Sequence, residues 1–148
     1  MKAFCVAYLV LALAGSALAA SPFVARVAGT GGAGDGVGFT LTVAVPKGNH
    51  LYESSFKVEA LPGATITSID KPAATQAPDP QTGETVRVFA EDVRIAGRLL
   101  LGAGKNGIVV SYQGCDETQC FMPETHTFRW DAAAKEFGEV QEDAEADE

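Results

Sequence analysis

Basic residues are scarce in this chain. Lys and Arg number 11 against 19 Asp and Glu, for a net charge of −8 at neutral pH. A nucleic-acid binder needs a basic face, and this balance argues against one. Cysteine is also sparse, with 3 in 148 residues, too few for a disulfide-dense scaffold. After the first twenty residues no apolar run approaches the roughly 20 needed to span a bilayer. No long stretch carries a 3.6-residue hydrophobic period. Gly-x-Ser-x-Gly, His-Glu-x-x-His and a phosphate loop are all missing, so hydrolase and nucleotide chemistry find no support. What is present is 47% hydrophobic and 20% charged residues with a mean hydropathy of +0.09. That is enough apolar material for one packed domain.

The first residues read as an address. Met1-Lys2 supplies a positive start, Phe4 to Leu13 is apolar, and Ala17-Leu18-Ala19 is a small-x-small cleavage site. A signal peptide is expected over residues 1–19, which implies export. Cys5 lies inside the apolar run, too early for a lipoprotein cysteine. Its removal leaves Cys115 and Cys120, an even count that suggests one disulfide in an exported chain. At the other end, Glu136, Glu139, Glu142, Asp143, Glu145, Asp147 and Glu148 carry no compensating base. The body from Ala20 to Lys135 then holds twelve acids and ten bases. The acidity belongs to a tail, residues 132–148, expected to be disordered or weakly helical, with Ala132 to Glu145 as its only helical candidate.

Between these ends, residues 20–131 read as β structure. Val37, Phe39, Leu41, Val43 and Val45 alternate with small or polar residues, the period-two signature of a strand with one buried face. Pro46 to Asn49 is a turn cluster. Further strands are expected over His50–Glu59, Ala64–Ile69, Glu84–Ala90, Val93–Leu101 with a break near Gly97, Ile108–Gln113 and Thr125–Trp130. Lys71 to Thr82 is expected to be the longest loop. Many short strands with Gly/Pro turns predict an all-β fold, an immunoglobulin-like β-sandwich. Cysteines this close in sequence cannot form the inter-sheet staple of antibody domains, so the likeness is architectural.

The chemistry concentrates in Tyr112-Gln113-Gly114-Cys115-Asp116-Glu117-Thr118-Gln119-Cys120-Phe121-Met122-Pro123-Glu124. Four residues separate the cysteines, and a turn can bring their sulfurs to bonding distance. Closing so small a ring removes only about 2 kcal/mol of chain entropy, against nearly 5 for a loop of about 100 residues. The pair is a weak staple but a good place for a bond that opens and closes, since both sulfurs stay near each other when reduced. Spacing alone leaves the staple and redox readings open.

Val110-Ser111-Tyr112-Gln113-Gly114-Cys115, then Cys120, then Pro123-Glu124-Thr125, resembles the active-site hairpin of the N-terminal periplasmic domain of the thiol–disulfide interchange protein DsbD. Lys47-Gly48-Asn49-His50-Leu51-Tyr52, followed by Phe56-Lys57-Val58, is similar to the same domain's strand leading into its active site. The similarity spans Val37 to Trp130. It implies an immunoglobulin-like fold with a redox-active Cys115–Cys120 pair and no cofactor. It also implies a membrane-embedded electron donor, expected on a separate chain, and periplasmic thioredoxin-like or disulfide-containing acceptors. By analogy Cys120 is the attacking thiol. Tyr52 matches an aromatic residue packed near the pair, and His50 stands where the family more often has another aromatic.

Three features depart from the family. Its cysteines usually enclose five residues, and here they enclose four. Its cap loop carries an aromatic that shields the disulfide, whereas the equivalent Ala77 to Gly83 has none. The usual protein also continues into a membrane domain and a thioredoxin-like domain, and this chain runs into the acidic tail.

Exchange proceeds by thiolate attack through a mixed disulfide. Asp116 and Glu117 beside Cys115 disfavour a thiolate, and the hairpin has no Lys or Arg to oppose them. Sluggish thiols with a pKa close to the ordinary value of about 8.5 are expected. His50 is a candidate proton acceptor or a strand-edge histidine. Tyr112 is expected to pack in the core or hairpin, His126 to pack beside Phe128, and Phe121 and Met122 to form an apolar rim. Two rival readings stand beside redox exchange. One is a Cu(I) site built from Cys115, Cys120, Met122 and His126. The other is a non-catalytic immunoglobulin-like module with a structural disulfide.

Overall fold

The computed structural model describes residues 21–141. The expected signal peptide (1–19) and the tail beyond Gln141 lie outside the described residues. The rest is an all-antiparallel β-sandwich of the immunoglobulin-like kind, with strands in three four-stranded groups. The first group orders β1 (Val24–Ala33), β2 (Gly36–Ala44), β8 (Val93–Leu100) and β5 (Thr65–Asp70). The second orders β10 (Gly114–Cys115), β3 (His50–Tyr52), β7 (Thr85–Phe89) and β6 (Thr75–Pro78). The third orders β12 (Glu136–Val140), β11 (Glu124–Asp131), β9 (Gly107–Tyr112) and β4 (Lys57–Ala60).

The period-two segments bury one face. Phe39, Leu41 and Val43 of β2, Ile95 and Leu99 of β8, and Ile108, Val110 and Tyr112 of β9 form the core with Leu51, Phe56 and Phe128. Alternation puts their neighbours outside, as pleating requires.

Several expectations are corrected. The segment expected as one strand over His50–Glu59 is two, divided by a 3-10 turn at Glu53–Ser55. β3 pairs with β7 and β10, whereas β4 pairs with β9, so the turn carries the chain from one sheet to another. The expected break near Gly97 is absent: β8 runs through it. A Cβ on Gly97 would stand 2.3 Å from Phe39 Cζ, so the glycine makes room for the Phe39 ring. The expected loop at Lys71–Thr82 contains β6, paired with β7 from Thr75↔Val88 to Pro78↔Thr85. In the expected helix at Ala132–Glu145, Glu136–Val140 is a strand, β12, paired with β11. Phe137 accounts for this: its ring lies 5.0 Å from Trp130 and 6.4 Å from Phe39, centroid to centroid. That apolar contact outweighs the acidic composition. Among the described residues no helix is long and apolar enough to cross a membrane.

Candidate functional site

The site forms where β9 leaves its sheet. After Tyr112 the chain crosses to β3, where Gly114 faces Leu51 and Cys115 faces His50. The Tyr52 N–H donates to the Gln113 carbonyl at 3.0 Å and seals this junction. Ser55, from the 3-10 turn, accepts the Gln113 N–H at 3.1 Å and donates to the Tyr52 carbonyl at 3.1 Å. Gly114 is the tightest point. A Cβ there would meet Phe23 Cζ at 2.3 Å and the His50 carbonyl oxygen at 2.6 Å.

Cys115 and Cys120 are directly opposed across an antiparallel bridge and joined by a disulfide, with Cα atoms 3.9 Å apart. Backbone hydrogen bonds flank the pair on both sides. The Phe121 N–H donates to the Gly114 carbonyl at 2.9 Å and the Asp116 N–H to the Gln119 carbonyl at 2.8 Å. At the tip, Asp116 Oδ1 accepts the Thr118 and Gln119 N–H groups, each at 2.7 Å. These bonds hold the Asp116 carboxyl below its ordinary pKa. The carboxylate therefore closes the turn as well as adding charge. Lys47, Gly48 and Asn49 stand across a shallow cleft from Asp116, Glu117 and Thr118. A base thus faces the acidic tip from another turn, although none lies within the hairpin.

The two sulfurs differ in exposure. Cys115 is 0% exposed, whereas Cys120 is half-buried. The Tyr52 hydroxyl oxygen reaches both, at 3.0 Å from Cys115 Sγ and 3.5 Å from Cys120 Sγ. It donates to Asp79 Oδ1 at 3.2 Å. Burial raises the Tyr52 pKa first, and the hydrogen bond and charge of Asp79 raise it further. Tyr52 therefore keeps its proton at neutral pH. Asp79 lies in the loop joining β6 and β7 and also accepts the Gln81 N–H at 2.9 Å. That bond, with the Tyr52 contact among lesser causes, holds its carboxyl below the ordinary range. The stretch equivalent to the family's cap loop thus reaches the disulfide through a carboxylate and a tyrosine. Sequence reading missed Asp79.

His50 shares the face that carries Tyr52 and Cys115, and its ring meets Tyr52 edge-on at 5.5 Å. Its Nε2 is buried without a hydrogen-bond partner. Burial lowers its pKa, and the charge of Asp79 partly opposes this.

The other candidates have other contacts. Phe121, next to Cys120, meets Phe23 edge-on at 5.9 Å and packs against the core. Met122 is 75% exposed. Tyr112 is buried, stacked between Phe56 and His126. His126 meets the Tyr112 hydroxyl through Nε2 at 3.2 Å and Glu139 through Nδ1 at 2.7 Å. Among the described residues no three or more His, Cys, Asp and Glu side chains stand together as a metal site. Of the residues in the Cu(I) reading, His126 is engaged with Tyr112 and Glu139, and the two sulfurs are bonded to each other.

A family model described as "Thiol:disulfide interchange protein DsbD, N-terminal" matches residues 19–132. Among solved structures, the Neisseria meningitidis DsbD N-terminal domain in its reduced form is similar at 18% identity and a TM-score of 0.58. The match covers 80% of this chain and 88% of that one. The complex between the DsbD N-terminal and PilB N-terminal domains from Neisseria meningitidis matches at 20% identity and a TM-score of 0.53. It covers 72% of this chain and 80% of that one. Comparison with curated proteins gives no match. At these identities the solved structures speak for the fold, while the family model spans the sandwich from β1 through β11 with its cysteine hairpin: the chain belongs to the family of DsbD N-terminal domains.

Proposed function

We propose that this protein is an exported, periplasmic thiol–disulfide exchange protein. It passes electrons through Cys115 and Cys120 from a membrane-embedded thiol donor to periplasmic thioredoxin-like or disulfide-containing acceptors. Membership of the DsbD N-terminal family supports the exchange chemistry. The solved complex of a DsbD N-terminal domain with a PilB domain supports a protein acceptor. The signal pattern at residues 1–19 supports the compartment.

One observation carries the order of attack: Cys115 is sealed, while Cys120 is reachable. In the reduced protein the Cys120 thiolate attacks an acceptor disulfide. A bond forms between Cys120 and one acceptor sulfur, and the other acceptor sulfur leaves with the electron pair. Cys115 then attacks Cys120, the internal disulfide closes, and the acceptor departs as a dithiol. Two electrons and two protons have moved. The donor dithiol runs the same steps in reverse. The hairpin bonds at Gly114–Phe121 and Asp116–Gln119 keep the two thiols opposed between the steps.

Trapping tests this order. Cys115→Ala should accumulate a covalent adduct through Cys120 that a reductant releases, and Cys120→Ala should not. Adducts on Cys120→Ala alone would reverse the order. No adduct on either variant would overturn the exchange function.

A further inference from the structure

We propose that His50 is the proton acceptor that makes Cys115 a nucleophile in the resolving step; the proposal rests on the exchange function above. A buried polar group normally has a hydrogen-bond partner, and one without needs a reason. His50 Nε2 is such a group. Its cross-strand neighbour in the β3–β10 register is Cys115, and directly opposed residues share a face with their Cβ atoms close together. While the disulfide is closed, Cys115 carries no proton to offer. Once the bond opens, Cys115 gains an S–H, which the unpartnered Nε2 of its cross-strand neighbour can accept in the tautomer that carries its proton on Nδ1.

The titratable neighbours of His50 are already committed. The titratable groups facing His50 are Tyr52 on its own strand, Cys115 on β10 and Asp79 from the β6–β7 loop. Tyr52 touches both sulfurs, but it is already protonated and its proton points to Asp79. Asp79 lies beyond Tyr52, and its Oδ1 already accepts from Tyr52 and Gln81. That leaves the imidazole. Burial keeps it neutral near pH 7, as a base must be.

The balance is simple. In the mixed disulfide, Cys120 is bonded to the acceptor and Cys115 is a thiol. The Cys115 proton moves to His50 Nε2. The Cys115 sulfur bonds to Cys120 Sγ, the bond from Cys120 to the acceptor breaks, and the acceptor sulfur leaves with the electron pair. The imidazolium then loses its proton to water. In the reducing direction the same proton returns to Cys115 as it leaves.

The test separates the two steps of exchange. Reduced protein is mixed with 5,5′-dithiobis(2-nitrobenzoate), and the release of thionitrobenzoate is followed by absorbance. The first equivalent reports attack by Cys120, and the second reports resolution by Cys115. In His50→Phe, which keeps an aromatic edge on Tyr52, the second step should slow about tenfold or more. Its pH inflection should move up toward that of an unassisted thiol, and the first step should stay unchanged. His50→Gln, which keeps a polar group but cannot take a proton, should slow the second step likewise and serves if the Phe variant does not fold. A packing role predicts the opposite ranking, with Phe like the wild type and Gln impaired. That ranking, or an unshifted pH profile in both variants, overturns the proposal. A wild-type protein that releases no second equivalent overturns the exchange function itself, and this proposal with it.

Discussion

Replacing Tyr52 by Phe removes one oxygen from the centre of the site and leaves the ring. That oxygen is 3.0 Å from Cys115 Sγ and 3.5 Å from Cys120 Sγ. A hydrogen bond to a charged partner contributes about 1.5–3 kcal/mol, and about 1.4 kcal/mol moves a pKa by one unit. The hydroxyl has one proton and shares it with Asp79, so the lower end applies: the thiol pKa should rise by about one unit in Tyr52→Phe. The thiolate fraction at neutral pH then falls about tenfold. Part of this is recovered, because a more basic thiolate is more nucleophilic with a Brønsted slope of about 0.4–0.5. The net effect is alkylation about 3-fold slower at pH 7. Above both pKa values the variant should be the faster one, by a similar factor. Asp79→Asn should act oppositely, since it removes a negative charge and leaves only a weaker, neutral amide oxygen competing for the Tyr52 proton. Together the two changes should fall short of additivity, because they share one proton. The assay is iodoacetamide alkylation of the reduced protein across pH, with each cysteine followed by mass spectrometry. Superimposable rate profiles for the wild type and Tyr52→Phe would refute the role of the hydroxyl.

Two further outcomes bear on the scaffold. Gly114→Ala places a methyl 2.3 Å from Phe23 Cζ and 2.6 Å from the His50 carbonyl. The ring can turn but the carbonyl belongs to the β3–β10 pair, so overpacking should cost about 1–3 kcal/mol in urea unfolding; an unchanged midpoint would contradict the close approach. Burial, then the charges of Glu124 and Glu139, hold the Tyr112 pKa well above its ordinary value. The stability this contributes is complete below about pH 10 and is lost as pH climbs through the folded value. Stability above pH 10 should therefore fall less steeply in Tyr112→Phe than in the wild type, and equal slopes would refute this.

The strands that sequence reading located are those whose alternation is chemically sharp. Val37 to Val45 and Ile108 to Tyr112 pair large apolar residues with small or polar ones, and both lie at the centre of the sandwich. β1 escaped because VARVAGTGGA is built from alanine and glycine, which have weak strand preference. Pairing with β2 along its length makes it a strand. β6 is rich in Gln, Ala and Pro, and owes its form to β7. In both, tertiary pairing decides what local composition leaves open. The site divides similarly. Residue type and spacing pointed to Cys115 and Cys120, and the family resemblance pointed to Tyr52, which the structure places against both sulfurs. Asp79 was not, because it reaches Tyr52 from 27 residues away through the register of the β6–β7 hairpin. His126 stacks on Tyr112 of the legible strand β9, but its Glu139 partner depends on β12, a strand that composition disguised.

Equilibrating the protein with glutathione buffers of known potential, and counting free thiols at Cys115 and Cys120 at each, addresses the exchange function most directly. A pair that works as an electron carrier should hold a potential above about −300 mV and shift between its two states across the buffer series. A pair that stays closed throughout, with a potential below that value, is a structural staple and contradicts the account.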